Sequence, residues 1–547
     1  MDQLQASRRT ALLRAGISVL LLCALTAVFA HDFAGRQTAQ PDNMSSNVIV
    51  PNLDDDDGNG VADFKDARAP RTGENDLLEV VVEPGAALPE GAVLMADIPK
   101  AWSGLARIFD VSPGGPPRPL KGRLTLRPIP AGGSGITLAI EAGAFSGPSR
   151  PREIEIGLRF ETRDGAPIAR RTLTCTVAPF LMSSCLDPAE AVHVVRTAWT
   201  GEFADALKPL VEAAGSRLLV FQHPALREHD IWFQDATEIG YAEARGARMR
   251  VALQGNRGFA LDELFAKSFV GKDAAVVHEG RYRGRSAEWI DWYGNLEVSP
   301  PVNTPGRAFP RGRIYAGRQG ARAMHPDVIA FLEAQGAQGP VLWLDTSWLV
   351  IGHVDEVVSW VPSRVGTPYR MLVPSPRLAL EILRKAEQAA PGGILNRGTR
   401  RDDTGREEFV EVPVSVALGD QKLVADQQLV QGKIDGVRRT LQAELGIVDR
   451  DIIEVPVLFG TSPGRFAGRY DALTTNMVNS LLVGETLIVP DPHGPLVNGT
   501  DVLLQAVKAR LEPLGNRVVA IDNFYPYHRY GGEVHCGTNA TRRPSAR

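Results

Sequence analysis

Cysteine is scarce in this chain, with four among 547 residues. They form no Cys-x-x-Cys pair and no Cys/His spacing of the kind that holds tetrahedral zinc, so a zinc module is excluded. No P-loop is present and no G-x-G-x-x-G opens a helix, which leaves nucleotide binding unsupported. Lys and Arg total 60 against 64 Asp and Glu, a net charge of −4. Nothing there forms the basic footprint of a nucleic-acid partner. Long apolar runs are also missing after residue 30, so no later membrane span is expected.

The one apolar run is "AGISVLLLCALTAVFA", Ala15–Ala30, preceded by Arg8, Arg9 and Arg14. Val28 and Ala30 make a small-residue cleavage site before His31. The pattern reads as an export signal, either cleaved or kept as an anchor, and the run is short for a span. "SRRTALL" from Ser7 loosely resembles a twin-arginine signal, with Ala11 where Phe is usual. A secreted or extracytoplasmic location (periplasm or cell surface) follows, with membrane contact only if the segment stays uncleaved. With Cys23 in that segment, Cys175 and Cys185 are close enough to pair, leaving Cys536 free.

The 39 prolines and 54 glycines imply many turns. The domain plan is a signal or anchor at 1–30, a linker with an Asp-rich loop at 31–75, a β-sandwich at 76–178 and an α/β region at 179–547. In the linker, Asp55, Asp57, Asn59, Gly60, Asp63 and Asp66 occupy positions 1, 3, 5, 6, 9 and 12 of a loop. That is the oxygen spacing of a calcium loop, with Gly at the sharp turn and Asp where Glu is usual at position 12. A solvated acidic run is the plainer alternative. In the next region Ile136, Leu138 and Ile140 alternate, as do Ile154, Ile156, Leu158 and Phe160. Short strands between Gly/Pro turns predict a β-sandwich, with an immunoglobulin-like domain as one form of it. Later, helical patterns alternate with apolar strands. "SPRLALEILRKAEQAAPGG" has Ser375 as cap and Pro376 in the first turn. Val430, Ile434, Val437, Leu441 and Leu445 keep helical spacing up to Gly446.

Polar residues interrupt this pattern in "DIWFQDATEIGY" (230–241), "NRGF" (256–259), "YGNLEVSPPV" (293–302), "IGHVDEVVSWVP" (351–362) and "YGGEVHCGTN" (530–539). His353 and Asp355 are two apart, which on a strand puts both on one face. An imidazole and a carboxylate together suit proton transfer and cation binding. Asp235 beside Trp232 suits a flat cation, paired at its edge and stacked on its face. Cys536 is a nucleophile, half of a disulfide, or a buried hydrophobe; Gly531, Gly532 and Gly537 argue for close backbone approach.

Together "WFQDATEIGY", "NRGF", "GNLEVSPPV", "GHVDE", "NMVN" and "GEVHCGTN" resemble, in the same order, the catalytic domain of the protein-arginine deiminases, members of the guanidino-modifying superfamily. The resemblance covers roughly residues 175–545. It implies an α/β fold in which a pseudo-fivefold α/β propeller follows an immunoglobulin-like β-sandwich, with the extra N-terminal domain of vertebrate members absent or reduced. It implies calcium-dependent hydrolysis of peptidyl-arginine to peptidyl-citrulline and ammonia through a covalent cysteine intermediate. Asp235 and Asp355 would clamp the guanidinium, His353 would act as acid and base, and Cys536 would attack. Trp232 would line the arginine slot, and Arg257 would contact the peptide backbone. Gln234, Glu238 and Glu297, with the carbonyls of Tyr293 and Leu296, would hold Ca2+. A second family calcium site is degraded, since Ala236 replaces an acid and only Asn256 is retained. The partner is an arginine-containing peptide or protein; a homodimer is one option for the oligomeric state. The rival readings are deimination of free arginine or agmatine, amidino transfer, and a non-catalytic exported calcium-binding protein.

Overall fold

The computed structural model describes residues 47–66, 76–127, 135–282, 288–304, 306–399 and 411–544. The export segment, most of the tether and residues 67–75 lie outside them. The described residues belong to one compact unit, Ser46–Arg547. Among them, no helix is long and apolar enough to cross a membrane.

The described residues between 48 and 177 build two packed sheets. One orders its strands Val48–Ile49, Pro167–Val177, Glu153–Glu161, Val93–Asp97 and Arg123–Thr125. The other runs Leu78–Val82, Ile136–Ala142, Ala106–Asp110 and Arg118–Pro119. The period-two alternation has its expected consequence: Ile154, Ile156, Leu158 and Phe160 point inward and are buried with Leu138, Ile140 and Trp102. The Trp102 indole N–H is satisfied by the Pro151 carbonyl at 3.1 Å.

The expected Cys175–Cys185 pair is not formed; both thiols are free. Cys175 packs inside the sandwich, whereas Cys185 packs against the largest core cluster of the α/β region and donates to the Trp360 carbonyl at 3.6 Å. Two separate cores hold the two sulfurs, so short sequence separation brings no contact. Burial pushes each thiol up to about 12, which leaves them inert.

After residue 180 the described residues form five sheets of three or four strands that repeat one connectivity, beside four two-stranded ribbons. The central strands are Ala189–Val195, Ala247–Gln254, Ile314–Arg318, Tyr369–Ser375 and Thr486–Pro490. Each pairs antiparallel on one side, with Thr538–Arg542, Thr237–Ala244, Leu296–Val298, Ser359–Pro362 and Leu481–Val483 respectively. Each pairs parallel on the other, with Arg217–Phe221, Ala274–Val277, Leu342–Asp345, Ile452–Pro456 and Arg517–Ile521. A parallel neighbour requires a crossover. Helices Gly201–Ala213, Ala260–Phe269, Pro326–Ala334, Pro376–Ala389 and Val502–Leu511 supply it.

The helix signals are met. Ser375 Oγ accepts the Leu378 N–H at 3.2 Å, with Pro376 in the first turn. Asp420 caps the long helix Gln421–Leu445, which Gly446 ends at φ +71°. Val430, Ile434, Val437, Leu441 and Leu445 are all buried. Leu441 is fully enclosed, whereas Leu429 of the same helix is 62% exposed. Leu441→Ala should therefore cost about 3 kcal/mol of unfolding free energy. Leu429→Ala should stay within about 0.5 kcal/mol, both read by denaturant unfolding.

Candidate active site

The polar residues singled out in the sequence sit in short turns that precede the antiparallel strand of each sheet. Asp235 lies in the turn Phe233–Ala236, ahead of Thr237–Ala244. Gly294 lies in Tyr293–Asn295, ahead of Leu296–Val298. Asp355 lies in Val354–Glu356 and Cys536 in Val534–Gly537, each again ahead of such a strand. His353 and Asp355 therefore do not share a strand face as expected. His353 is extended and caps the tight turn that contains Asp355. The turn of Asp235 packs against those of Cys536 and Gly294, and the latter packs against the turn of Asp355.

This packing brings the four expected residues together. His353 Nδ1 is 3.6 Å from Asp235 Oδ1. Cys536 Sγ is 3.5 Å from Asp355 Oδ2. His353 Nε2 faces the Trp289 carbonyl at 2.7 Å. A carbonyl only accepts, so Nε2 carries a proton and Nδ1 is the nitrogen turned toward the site. Gly294 is central. Its N–H donates to Asp235 Oδ1 at 3.1 Å. A Cβ there would stand 2.6 Å from His353 Nδ1, 2.8 Å from Asp235 Oδ1 and 3.1 Å from Asp355 Oδ2. Only glycine leaves the space between those three groups open. Gly532 has a like role, since a side chain there would collide with the Trp232 ring.

The electrostatics are dominated by buried negative charge. Asp235, Asp355 and Cys536 are all nearly inaccessible. Burial, then the Asp355 carboxylate, raises Asp235 despite His353 and Arg257. Burial, Asp355 and Asp235 push the Cys536 thiol well above its ordinary value. Asp355 Oδ1 is buried and meets no hydrogen-bond donor. Its Oδ2 faces His535 Nδ1 at 3.0 Å. Burial disfavours the His535 cation, yet Asp355 and Glu297 outweigh it and raise its pKa. Next to Cys536 lies a cavity of about 650 Å³, walled by Trp289, Ile351, Phe466, Asn479 and Tyr530 among others. Cys536 lines it, whereas Asp235, His353 and Asp355 do not.

Arg257 departs from expectation. Its guanidinium is buried between Asp262, at 2.6 Å, and Asp230, at 3.2 Å, with the Phe259 and Trp292 rings beside it. It faces no open surface where a peptide backbone would lie, because two neighbouring carboxylates claim it first.

The expected cation donors are partly assembled. Gln234, Glu238 and Glu297 line one small cavity of about 30 Å³ with His535 and Arg542. The two glutamates are raised, foremost by burial, Glu297 to about 7. Oxygen donors of this kind suit calcium. Tyr293 and Leu296 do not line that cavity, and the Tyr293 carbonyl already accepts the Leu296 N–H. In the acidic loop, Asp55, Asp57 and Asp63 bring carboxylate oxygens within 4.8 Å of one another. Gly60 turns at φ +86° and its N–H donates to Asp55. Asn59 and Asp66, expected as ligands, instead bond each other at 2.8 Å.

A second trio, Asp54, Asp56 and Asp76, escaped the sequence reading. The loop pattern starts at Asp55, and Asp76 is too distant in sequence to suggest itself. Asp54 Oδ1 and Asp56 Oδ1 are buried there without a donor, which fits a hard cation. Asn479 and His535, both touching the reactive centre, were also missed; "NMVN" was visible as a motif without a chemical reason.

A buried thiol flanked by two carboxylates and an imidazole is an arrangement that can serve a cysteine nucleophile acting on a planar, positively charged carbon. The family model described as protein-arginine deiminase matches residues 167–547. Protein-arginine deiminase type-4 of Rattus norvegicus is 36% identical over 390 residues, 70% of this chain and 57% of its own length. Type-3 of Homo sapiens has the same identity and shares. Type-4 of Mus musculus is 33% identical over 473 residues, 82% of this chain and 69% of its own. This chain belongs to the protein-arginine deiminase family, and it spans 57% of the length of the first two relatives. Among solved structures, agmatine deiminases of C. jejuni and Enterococcus faecalis overlap 67% of this chain at TM-scores of 0.36 and 0.37 and 12% identity, too slight a likeness to support any inference.

Burial and neighbouring carboxylates raise Asp54 to about 6 and Asp76 to about 9. Both lie above the ordinary carboxyl value, so the folded state holds protons that the unfolded chain releases. That stability is complete only below the ordinary value and is lost as pH rises through the folded values. In chelator, the thermal unfolding midpoint should fall between about pH 4 and about pH 9. Millimolar calcium should restore it at the upper end; calorimetry across pH checks both.

Proposed function

We propose that this protein hydrolyses peptidyl-arginine to peptidyl-citrulline and ammonia. The observation that carries the reading is the convergence of Asp235, His353, Asp355 and Cys536 from separate turns in a protein-arginine deiminase relative. Proteins named protein-arginine deiminase act, by that name, on arginine in proteins, and this chain is read likewise. We read the five repeated sheets as a pseudo-fivefold α/β propeller. The two packed sheets before it are read as an immunoglobulin-like domain, with the boundary near residue 178. The Ala15–Ala30 pattern supports export.

In this mechanism Asp235 and Asp355 hold the guanidinium by charge-assisted bonds, and the acceptor Asp355 Oδ1 gains the donor it lacks. The incoming cation offsets the carboxylates that disfavour a thiolate, so Cys536 ionises on substrate binding and its proton passes to His353 Nδ1. Sγ attacks the guanidinium carbon. His353 Nδ1 protonates one departing nitrogen, which leaves as ammonia, and a thiouronium remains on Cys536. His353 then takes one proton from water; the new C–O bond forms, the C–S bond breaks and the thiolate is regenerated, while the second proton passes through solvent to the released ammonia as neutral citrulline forms. Citrulline is neutral and loses both ion pairs, which favours release. Calcium, when bound by the acidic loop trios and by Gln234, Glu238 and Glu297, would supply positive charge against these buried acids.

A blocked arginine peptide should yield citrulline with calcium, and less with chelator. Cys536→Ala should abolish it. Free arginine should be the poorer substrate, and an ornithine product from an added amine would point to amidino transfer instead. No citrulline from either substrate with folded, calcium-loaded protein would sink the reading. In the same assay Gly294→Ala should lose at least about 100-fold in kcat, because its methyl group displaces three site groups at once.

A further inference from the structure

Five equivalent turns precede the five antiparallel strands. Four of them present Asp235, Gly294, Asp355 and Cys536. The fifth, Asn476–Asn479, precedes Leu481–Val483 and has no part in the chemistry described so far.

Its last residue touches the nucleophile. Asn479 is 2% exposed, and one side-chain amide reaches Cys536 twice. Nδ2 lies 3.1 Å from Sγ, and Oδ1 accepts the Cys536 backbone N–H at 3.2 Å. The Asn479 carbonyl accepts the His535 N–H at 3.3 Å. The amide's orientation follows from its partners. The backbone N–H can only donate, so Oδ1 must face it, and the sulfur therefore meets an N–H donor. The turn is itself held firmly. The Asn476 side chain donates to the Glu356 carbonyl at 2.7 Å, and the Asn476 N–H donates to Glu533 Oε1 at 2.8 Å. Glu533 is anchored in turn by the Asn523 amide at 2.6 Å.

We propose that Asn479 is a positioning residue that holds Cys536 Sγ in place and gives the sulfur an N–H donor it keeps after losing its proton. Asp355 Oδ2, a further polar neighbour of the sulfur, only accepts and so favours the protonated thiol, while a Glu533 backbone hydrogen bond acts the other way. Burial and both aspartates also favour the thiol. Asn479 opposes them, because a hydrogen bond to an anion is stronger than one to a neutral thiol. The role rests on Cys536 being the nucleophile, but it concerns the resting thiol and can be measured without turnover.

The test is the pH profile of iodoacetamide modification at Cys536, scored by peptide mapping so that other cysteines do not count. Asn479→Asp keeps the size and the acceptor for the Cys536 N–H but replaces the donor with a carboxylate oxygen. Modification near neutral pH should slow by at least about tenfold, the loss of one charge-assisted hydrogen bond, and the midpoint should move up. Asn479→Ala should shift the midpoint in the same direction by less. Thermal unfolding should show both variants folded; if Asn479→Asp is not, Asn479→Ala decides. An unchanged midpoint in the folded variants would overturn the proposal, even if citrulline formation fell, since that loss would then be a packing effect. Failure of the wild-type protein to form citrulline would instead strike the functional reading.

Discussion

The site depends on an excess of buried carboxylate over buried cation. Asp235, Asp355, Glu238, Glu297 and Glu356 crowd around one centre, and burial raises every one of them for which a shift is resolved. The arginines nearby are already committed. Arg257 serves Asp230 and Asp262, and Arg542 donates to the Asp187 and Leu482 carbonyls. A folded protein tolerates such an arrangement when something positive completes it. The completions we propose are a guanidinium at the Asp235–Asp355 pair and hard cations at the acidic trios.

The repeated module explains how residues far apart in the chain reach that centre. A parallel strand demands a helical crossover, which sends the chain out and back. The antiparallel strand then begins at a turn, and the turns of different modules pack on one another. Each turn contributes one or two residues, so the four reactive groups need no proximity in sequence. The Asn476–Asn479 turn follows the same plan. Stability of the modules and precision of the site thus share one cause, the seating of short turns at the heads of the strands.

Much of this was legible in the sequence because its signals are local. The alternation at Ile154–Phe160, the Ser375-Pro376 cap and the helical spacing up to Gly446 each depend on neighbours a few residues away. The six motifs pointed to Asp235, His353, Asp355 and Cys536 together. What failed was everything set by distant packing. The burial of Arg257 depends on Asp230 and Asp262 from different segments. The separate fates of Cys175 and Cys185 depend on two cores that ten residues of sequence do not announce. Asp76 joins Asp54 and Asp56 from a position well separated from them in sequence. Asn479 carries no charge and no unusual spacing, and only its double contact with Cys536 shows its place.

The central claim is that a planar cation between Asp235 and Asp355 makes Cys536 ionisable. Its most direct measurement is a titration of ultraviolet thiolate absorbance, taken as wild type minus Cys536→Ala, with and without millimolar guanidinium ion at matched ionic strength. The account predicts that guanidinium lowers the Cys536 midpoint and that Asp355→Asn abolishes the shift. A midpoint indifferent to guanidinium would contradict it.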